Sequence, residues 1–345
     1  MDVKKLYVLI LFSLIFIQVS WAQQKPQYNQ YMLNGYLVNP ALAGIENYTD
    51  LRVSYRNQWS GLAGAPSSVY ISVHGPLHKE DRSSSIVSLP ARGKSNIINK
   101  LRYKEENDFK FLKPHMGVGG MIISDNMGPN KRLTAGVTYA YHLPVMNRRM
   151  KLSTGITAGL TRYSLNISEL DFGPNIDPVV SQYENARLLP EISLGSTLYG
   201  SHFFVGASVA QLFQNALDLS GRNEGVQQRF SNHYFLTGGY EIRLGRELAL
   251  MPSVLVKYVQ PSPVSVDLNL KASYLRRFWG GVSYRHQNAI AALAGFNLNT
   301  ILNVGYAYEM ATSNLNNYTH GSHEIMLGFV MGNTYRIKSP MFYRW

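Results

Sequence analysis

The sequence predicts an all-β protein, a single transmembrane antiparallel β-barrel of about fourteen strands. Three observations carry the prediction. Apolar and polar residues alternate strictly over stretch after stretch, which sends successive side chains to opposite faces of a strand. The polar face is crowded with Gly, Ser, Thr, Asn and charges, as a wet lumen requires. The apolar face ends in aromatics such as Tyr139, Tyr141, Tyr258, Tyr274, Tyr306, Tyr308 and Trp59, where interfacial girdles sit. The stretches also match the roughly 9–11 residues that a tilted strand needs to cross a bilayer. Lipid offers no water to an open sheet edge, so strands that cross it must close on themselves.

The first residues read as a secretory leader. Lys4 and Lys5 are followed by the apolar run Leu6–Val19, and Ser20-Trp21-Ala22 offers small residues at the two positions that a signal peptidase reads. Cleavage after residue 22 leaves 323 of the 345 residues, starting at Gln23. The chain has no Cys, which excludes a lipoprotein anchor, disulfides and thiolate metal sites. Lys and Arg outnumber Asp and Glu by 33 to 21, and by 31 to 20 once Asp2, Lys4 and Lys5 are gone. An exported basic protein suits anionic lipid headgroups, lipopolysaccharide phosphates or an acidic partner. Nucleic acid is not expected, since the chain is exported and has no basic helix or aromatic–basic RNA motif.

From 23 to 49 the chain is irregular. Gly35 and Gly44 permit tight bends, and Asn39-Pro40 favours extended or turn geometry. This segment reads either as a plug or as a platform on the periplasmic side. The barrel then occupies 50–332. Its expected strands are Asp50–Trp59, Ser67–Leu77, Pro114–Asp125, Lys131–Leu143, Met150–Tyr163, Leu188–Tyr199 and His202–Phe213, followed by Asn232–Leu244, Glu247–Val259, Val264–Leu275, Arg277–Gln287, Ala291–Leu298, Thr300–Met310 and Ser322–Met331. Lys131–Leu143 shows the pattern most clearly, with Leu133, Ala135, Val137, Tyr139, Tyr141 and Leu143 on one face.

Connection lengths set the topology. With the first strand running outward, the short turns at 200–201, 245–246, 276 and 299 fall on the periplasmic side. The long polar stretches 164–187, 214–231 and 311–321 fall outside. One connection departs from this rule. The 36 residues of 78–113 lie on the periplasmic side and hold nine Lys/Arg and five Asp/Glu. They read as an insertion, an extra hairpin or a docking element. The tail 333–345 carries Arg336, Lys338 and Arg344, with no acid.

Several pieces carry a resemblance. "QYMLNGYLVNPALAG" and "YRNQWSGLAGAPSS" near the start are joined, in order, by "SDNMGPN", "PSVLVKY", "SVDLNL", "GGVSYRHQNAIAALAGF", "VGYAYE", "SHEIMLGF" and "SPMFYRW". Together they resemble the PorP/SprF family of type IX secretion outer-membrane proteins along nearly the whole mature chain. Glu309, where the family usually has Asp, and Ser67-Ser68 after "GAP" depart from its pattern, and 78–113 is longer than its norm. The resemblance implies a role in type IX secretion or gliding in Bacteroidetes-type bacteria. It implies delivery or anchoring of cargo with a C-terminal sorting domain, and contact with the periplasmic ring lipoprotein and other periplasmic components.

Catalytic chemistry has no signature here. None of the metalloprotease, nucleophile-elbow, P-loop or calcium-loop motifs occurs, and the nine histidines are scattered without metal-ligand spacing. No enzyme activity and no cofactor are expected. Partner docking is assigned to Tyr31, Asn34, Asn39 and Pro40 in the first segment, Arg92, Lys94, Lys100 and Arg102 in the insertion, and Arg336 and Lys338 in the tail. Strand directions place Lys257, Asp267 and Arg285 on the inward face near the outer ends of three neighbouring strands. They place Glu309, Glu324 and Arg56 at similar depth across the closing seam. These six are expected to form a structural ion network in the lumen. A porin-like channel for small solutes is the alternative function.

Overall fold

The structure is a computed structural model that describes residues 29–80, 112–146, 150–166, 186–213, 216–217, 228–229, 231–244, 247–260, 262–275, 277–298 and 301–332. Its strands are β1 (Thr49–Asn57), β2 (Ser67–Leu77), β3 (His115–Met127), β4 (Asn130–Val145), β5 (Met150–Leu165), β6 (Ala186–Tyr199) and β7 (Phe203–Ala210). They continue as β8 (Ala216–Leu217), β9 (Gln228–Arg229), β10 (His233–Tyr240), β11 (Ile242–Leu244), β12 (Leu248–Val259) and β13 (Ser265–Tyr274). The last are β14 (Phe278–Arg285), β15 (Ala289–Asn297), β16 (Leu302–Ala311) and β17 (Ser322–Met331).

Fourteen of these strands close one antiparallel barrel, the number that the alternation predicts. Strands β1 to β7 pair in order, β7 pairs with β10, β10 with β12, and β12 to β17 pair in order until β17 returns to β1. The ribbon β8–β9 stands apart. β11 continues β10 along β12, since Gly239 opposite Ser253 and Ile242 opposite Leu250 share one register. The break at Glu241 falls beside Pro252, which has no N–H to give the ladder. The Glu241 amide donates instead to His202 O at 2.7 Å.

Some strand limits differ from the sequence reading. β1 stops at Asn57 because Trp59 takes a positive φ of 53°, which removes Trp59 from the strand's apolar face. The β3–β4 ladder runs on to Met127 opposite Asn130 through a two-residue turn at Gly128, whose φ is 56°.

The two faces separate cleanly. On β4, Leu133, Val137, Tyr139, Tyr141 and Leu143 are exposed, while Arg132, Thr134, Thr138, Ala140 and His142 are buried in the lumen. Exposed Leu268, Leu270 and Tyr274 on β13, and Ile325 and Leu327 on β17, continue the apolar surface around the barrel. An apolar belt of that extent belongs in lipid.

The barrel ends also differ. One carries the brief connections 200–202, 245–247, 275–277 and 298–301 and is called here the turn end. The other carries 58–66, 166–185, 211–232 and 312–321 and is called the loop end. Residues 78–114, between β2 and β3, leave from the turn end. There Lys79 Nζ donates to Ile45 O at 2.6 Å. Lys113 bonds Glu80 nearby, and that hydrogen bond and charge hold the Glu80 carboxyl below its usual range.

Candidate functional site

Residues 29–48 run inside the barrel as three short 3-10 turns, Asn29–Met32, Gly35–Leu37 and Pro40–Leu42. Nothing in this segment has strand periodicity, so its backbone groups need partners on the wall. Those partners lie all round the circumference. Asn34 Nδ2 donates to Ser72 Oγ on β2 at 2.8 Å, and the Tyr36 hydroxyl meets Thr138 Oγ1 on β4 at 2.6 Å. Ser153 on β5 donates to Ala41 O, and Ser208 on β7 donates to Val38 O at 2.7 Å. Arg52 on β1, held by Asp50, donates to Leu33 O. On the opposite wall Met32 packs with Trp279, Ala291, Leu293, Ala307 and Met326, which lie on β14 to β17. The segment therefore crosses the lumen as a plug.

Local sequence explains the tight fit at Asn39-Pro40. The Asn39 side chain accepts from Ala41 N at 2.9 Å and so caps the third turn, with Pro40 at its first position. The same amide donates to Thr197 Oγ1 at 2.9 Å. Glycines on three adjacent strands make room for it. A Cβ on Gly155 would stand 2.5 Å from Pro40 O, one on Gly206 2.9 Å from Asn39 Nδ2, and one on Gly195 would collide with Asn39 Oδ1. Backbone approaches this close are what an absent side chain permits.

The plug leaves at the turn end through a polar clasp. His142 Nε2 lies 2.8 Å from Ala43 O and its Nδ1 lies 2.9 Å from the Tyr199 hydroxyl. His115 stacks on His142 with ring centroids 4.2 Å apart. His115 Nε2 lies 3.1 Å from Gly44 O, and Lys151 Nζ lies 3.1 Å from its Nδ1. A carbonyl can only accept, so the hydrogen sits on Nε2 of His115 and Nδ1 receives the lysine. Gly44 N donates to His74 Nδ1 at 3.3 Å.

Charges gather in the loop-end half. Arg56 bridges the seam, with Nη1 3.3 Å from Glu324 Oε2 and Nη2 2.9 Å from Glu309 Oε1. Glu309 continues to Arg285 at 3.1 Å, and Arg285 to Asp267 at 3.3 Å. Lys257 is buried beside Asp267 and Arg285. On the far wall Arg132 pairs with Asp125 at 2.8 Å.

Between the plug and these loop-end groups lies a cavity of about 90 Å³. Its floor is the plug itself, through Tyr31, Tyr36, Leu37, Val38 and Pro40. Its walls include Ile123, Phe235 and Leu255, with Arg132, Glu191, Lys257, Asp267 and Arg285 among them. Burial raises the Tyr36 phenol to about 12 and Tyr31 further, so both stay neutral hydrogen-bonding groups at physiological pH.

The structure places the residues assigned by sequence as follows. Arg56, Glu309, Glu324, Arg285 and Asp267 meet in one chain of ion pairs, with Lys257 beside them. Asn34, Asn39 and Pro40 are buried against the wall, and Tyr31 is half-buried with its hydroxyl on Asn269. Asn34 Nδ2, Asn39 Nδ2 and the Tyr31 hydroxyl bond to the lumen wall, and docking of an outside partner by these four residues stays a proposal. Arg92, Lys94, Lys100, Arg102, Arg336 and Lys338 lie outside the described residues, as does the leader. The clasp of His74, His115, His142 and Lys151 was not anticipated. Its signal was available, since all four are inward positions at the turn-proximal ends of β2 to β5.

A family model described as "Type IX secretion system membrane protein PorP/SprF" matches residues 20–329. The chain belongs to the PorP/SprF family. Among curated proteins no match is found. Among solved structures the chain is similar to the outer membrane protein Omp33 of Acinetobacter baumannii, at 10% identity over 84% of this chain and 100% of that one, with a TM-score of 0.46. It is also similar to the toluene transporter TbuX of Ralstonia pickettii, at 10% identity over 86% and 92%, with a TM-score of 0.47. By its family match and its own closed sheet, this PorP/SprF protein is a membrane barrel of the type IX secretion system. Its fold and family point to the outer membrane, and gliding motility and Bacteroidetes fit that family context. In this PorP/SprF chain the stretch "NGYLVNPALAG" lies within the plug, and the glycines at 155, 195 and 206 make room for it.

Proposed function

We propose that this protein is a non-enzymatic outer-membrane barrel that serves type IX secretion by holding or passing cargo at its loop end and docking periplasmic components at its turn end. The cargo bears a C-terminal sorting signal, and the ring lipoprotein is the expected periplasmic partner. Residues 1–22 act as the export leader. The observation that carries this reading is the plug, since residues 29–48 bond to the wall on every side of the lumen. A solute channel needs an open path, whereas a holding and docking barrel does not. The basic segment 78–113, whose neck bonds to the plug's exit, and Arg336 and Lys338 of the tail supply the turn-end surface. A docked ring component would meet the barrel where Lys79 bonds Ile45 O.

Planar-bilayer recording tests the reading. The intact protein is expected to pass no steady current, and the protein lacking 23–48 to conduct. Steady current through the intact barrel would instead favour the porin-like alternative. Capture of ring components by the full chain, lost when 81–111 is deleted, is the expected second result.

A further inference from the structure

We propose that the cavity above the plug is a binding site for one uncharged apolar side chain of an extended polypeptide, from leucine to tryptophan in size. The inference deepens the reading of the loop end as the cargo-holding side. It rests on that reading for whose polypeptide enters, not for what the site accepts.

Three observations lead there. First, Leu37 and Val38 are only partly buried although they lie within the barrel. Ser208 fixes the backbone at Val38 O, so these two side chains are presented to the cavity rather than folded away. Ile123, Phe235 and Leu255 face them from lumen walls that also carry polar and charged groups. Apolar surface held in a wet lumen gains on being covered, by roughly 25 cal/mol per Å² removed from water.

Second, the charged groups around the cavity already have neighbours to engage. Arg132 has Asp125, Arg285 has Asp267 and Glu309, Lys257 lies beside Asp267, and Glu191 accepts from Thr161 Oγ1 at 2.8 Å. A charged occupant would be desolvated among fixed charges of both signs, which is costly. Those groups can still bond the amides on either side of a neutral side chain.

Third, size and place select the occupant. About 90 Å³ holds several waters, each needing roughly 10–15 Å³, and one ring or branched chain displaces them. The space is too small for a folded domain. It lies inside the lumen, away from the lipid belt, so an acyl chain would have to leave the bilayer to reach it.

Saturation-transfer NMR on the full mature chain in micelles tests this with N-acetyl-tryptophanamide, N-acetyl-leucinamide and N-acetyl-lysinamide. The first two are expected to bind at least about tenfold more tightly than the third. Leu255→Trp, which fills the cavity, should lose at least about tenfold of that binding. Folding is read from the heat-dependent gel mobility of the barrel, and Val38→Trp replaces Leu255→Trp where the latter does not show the folded mobility. Equal binding of the lysine compound, binding unchanged by the filling variant, or no transfer at all overturns the site. Cargo retention is measured separately. If the capped residues bind and Leu255→Trp abolishes this without affecting cargo, the site stands and the cargo-holding reading of the loop end falls.

Discussion

The side-chain amide of Asn39 fills the space that a side chain on Gly195 would need, so plug and wall are fitted to each other at that point. A substitution on the wall should therefore act on the plug. Gly195→Ala is expected to cost about 1–3 kcal/mol as an overpacked contact, seen as a lower urea midpoint. Gly280→Ala is the control, because its Cβ would meet only Leu293 O, at 3.6 Å. Equal midpoints for the two variants would count against the fit.

The seam charges give a second expectation. Removing Arg56 takes from Glu324 its guanidinium and leaves Glu309 with Arg285 alone, so Arg56→Met should cost about 3–5 kcal/mol. Adding Glu309→Gln and Glu324→Gln to that variant should recover most of the loss. Asp267→Asn should also lower the unfolding temperature, since Arg285 then loses one of its two carboxylates. An unchanged temperature would show that the ion pairs add no stability.

The clasp can be opened from one residue. His142→Phe keeps an aromatic ring on His115 but removes the bonds to Ala43 O and to the Tyr199 hydroxyl. A buried polar group left unmatched costs about 1–3 kcal/mol. The expected readout is local, as faster amide hydrogen exchange at Gly44 and Ile45 with the strand amides unaffected.

Alkali should loosen the plug through Tyr36. Its phenol is raised by burial from 10.0 to about 12 while docked. Below pH 10 it is neutral in both states, and docking keeps its full strength. Between pH 10 and 12 the released segment ionises and the docked one resists, so docking weakens as pH rises through that window. Conductance should grow across it, and Tyr36→Phe should flatten the rise.

Much of the fold was legible because the bilayer enforces a period of two, and Lys131–Leu143 could hardly be read otherwise. The depth of Arg56, Glu309 and Arg285 could be counted from strand direction alone, since connection lengths orient each strand. The path of 29–48 could not, because an irregular segment takes its shape from the wall. Asn39 needs Gly155, Gly195 and Gly206, which lie more than a hundred residues away and belong to three different strands. Trp59 misled for a local reason, a left-handed backbone that ends β1 early. The histidines at 74, 115 and 142 looked unrelated because hairpin pairing, not sequence spacing, brings them together.

The cork and the first stave of this vessel are one continuous piece of polypeptide, and the first stave is sealed to the last. Covalent continuity therefore keeps the cork at the mouth whether or not it is seated, so a displaced cork stays tethered to the wall it blocks.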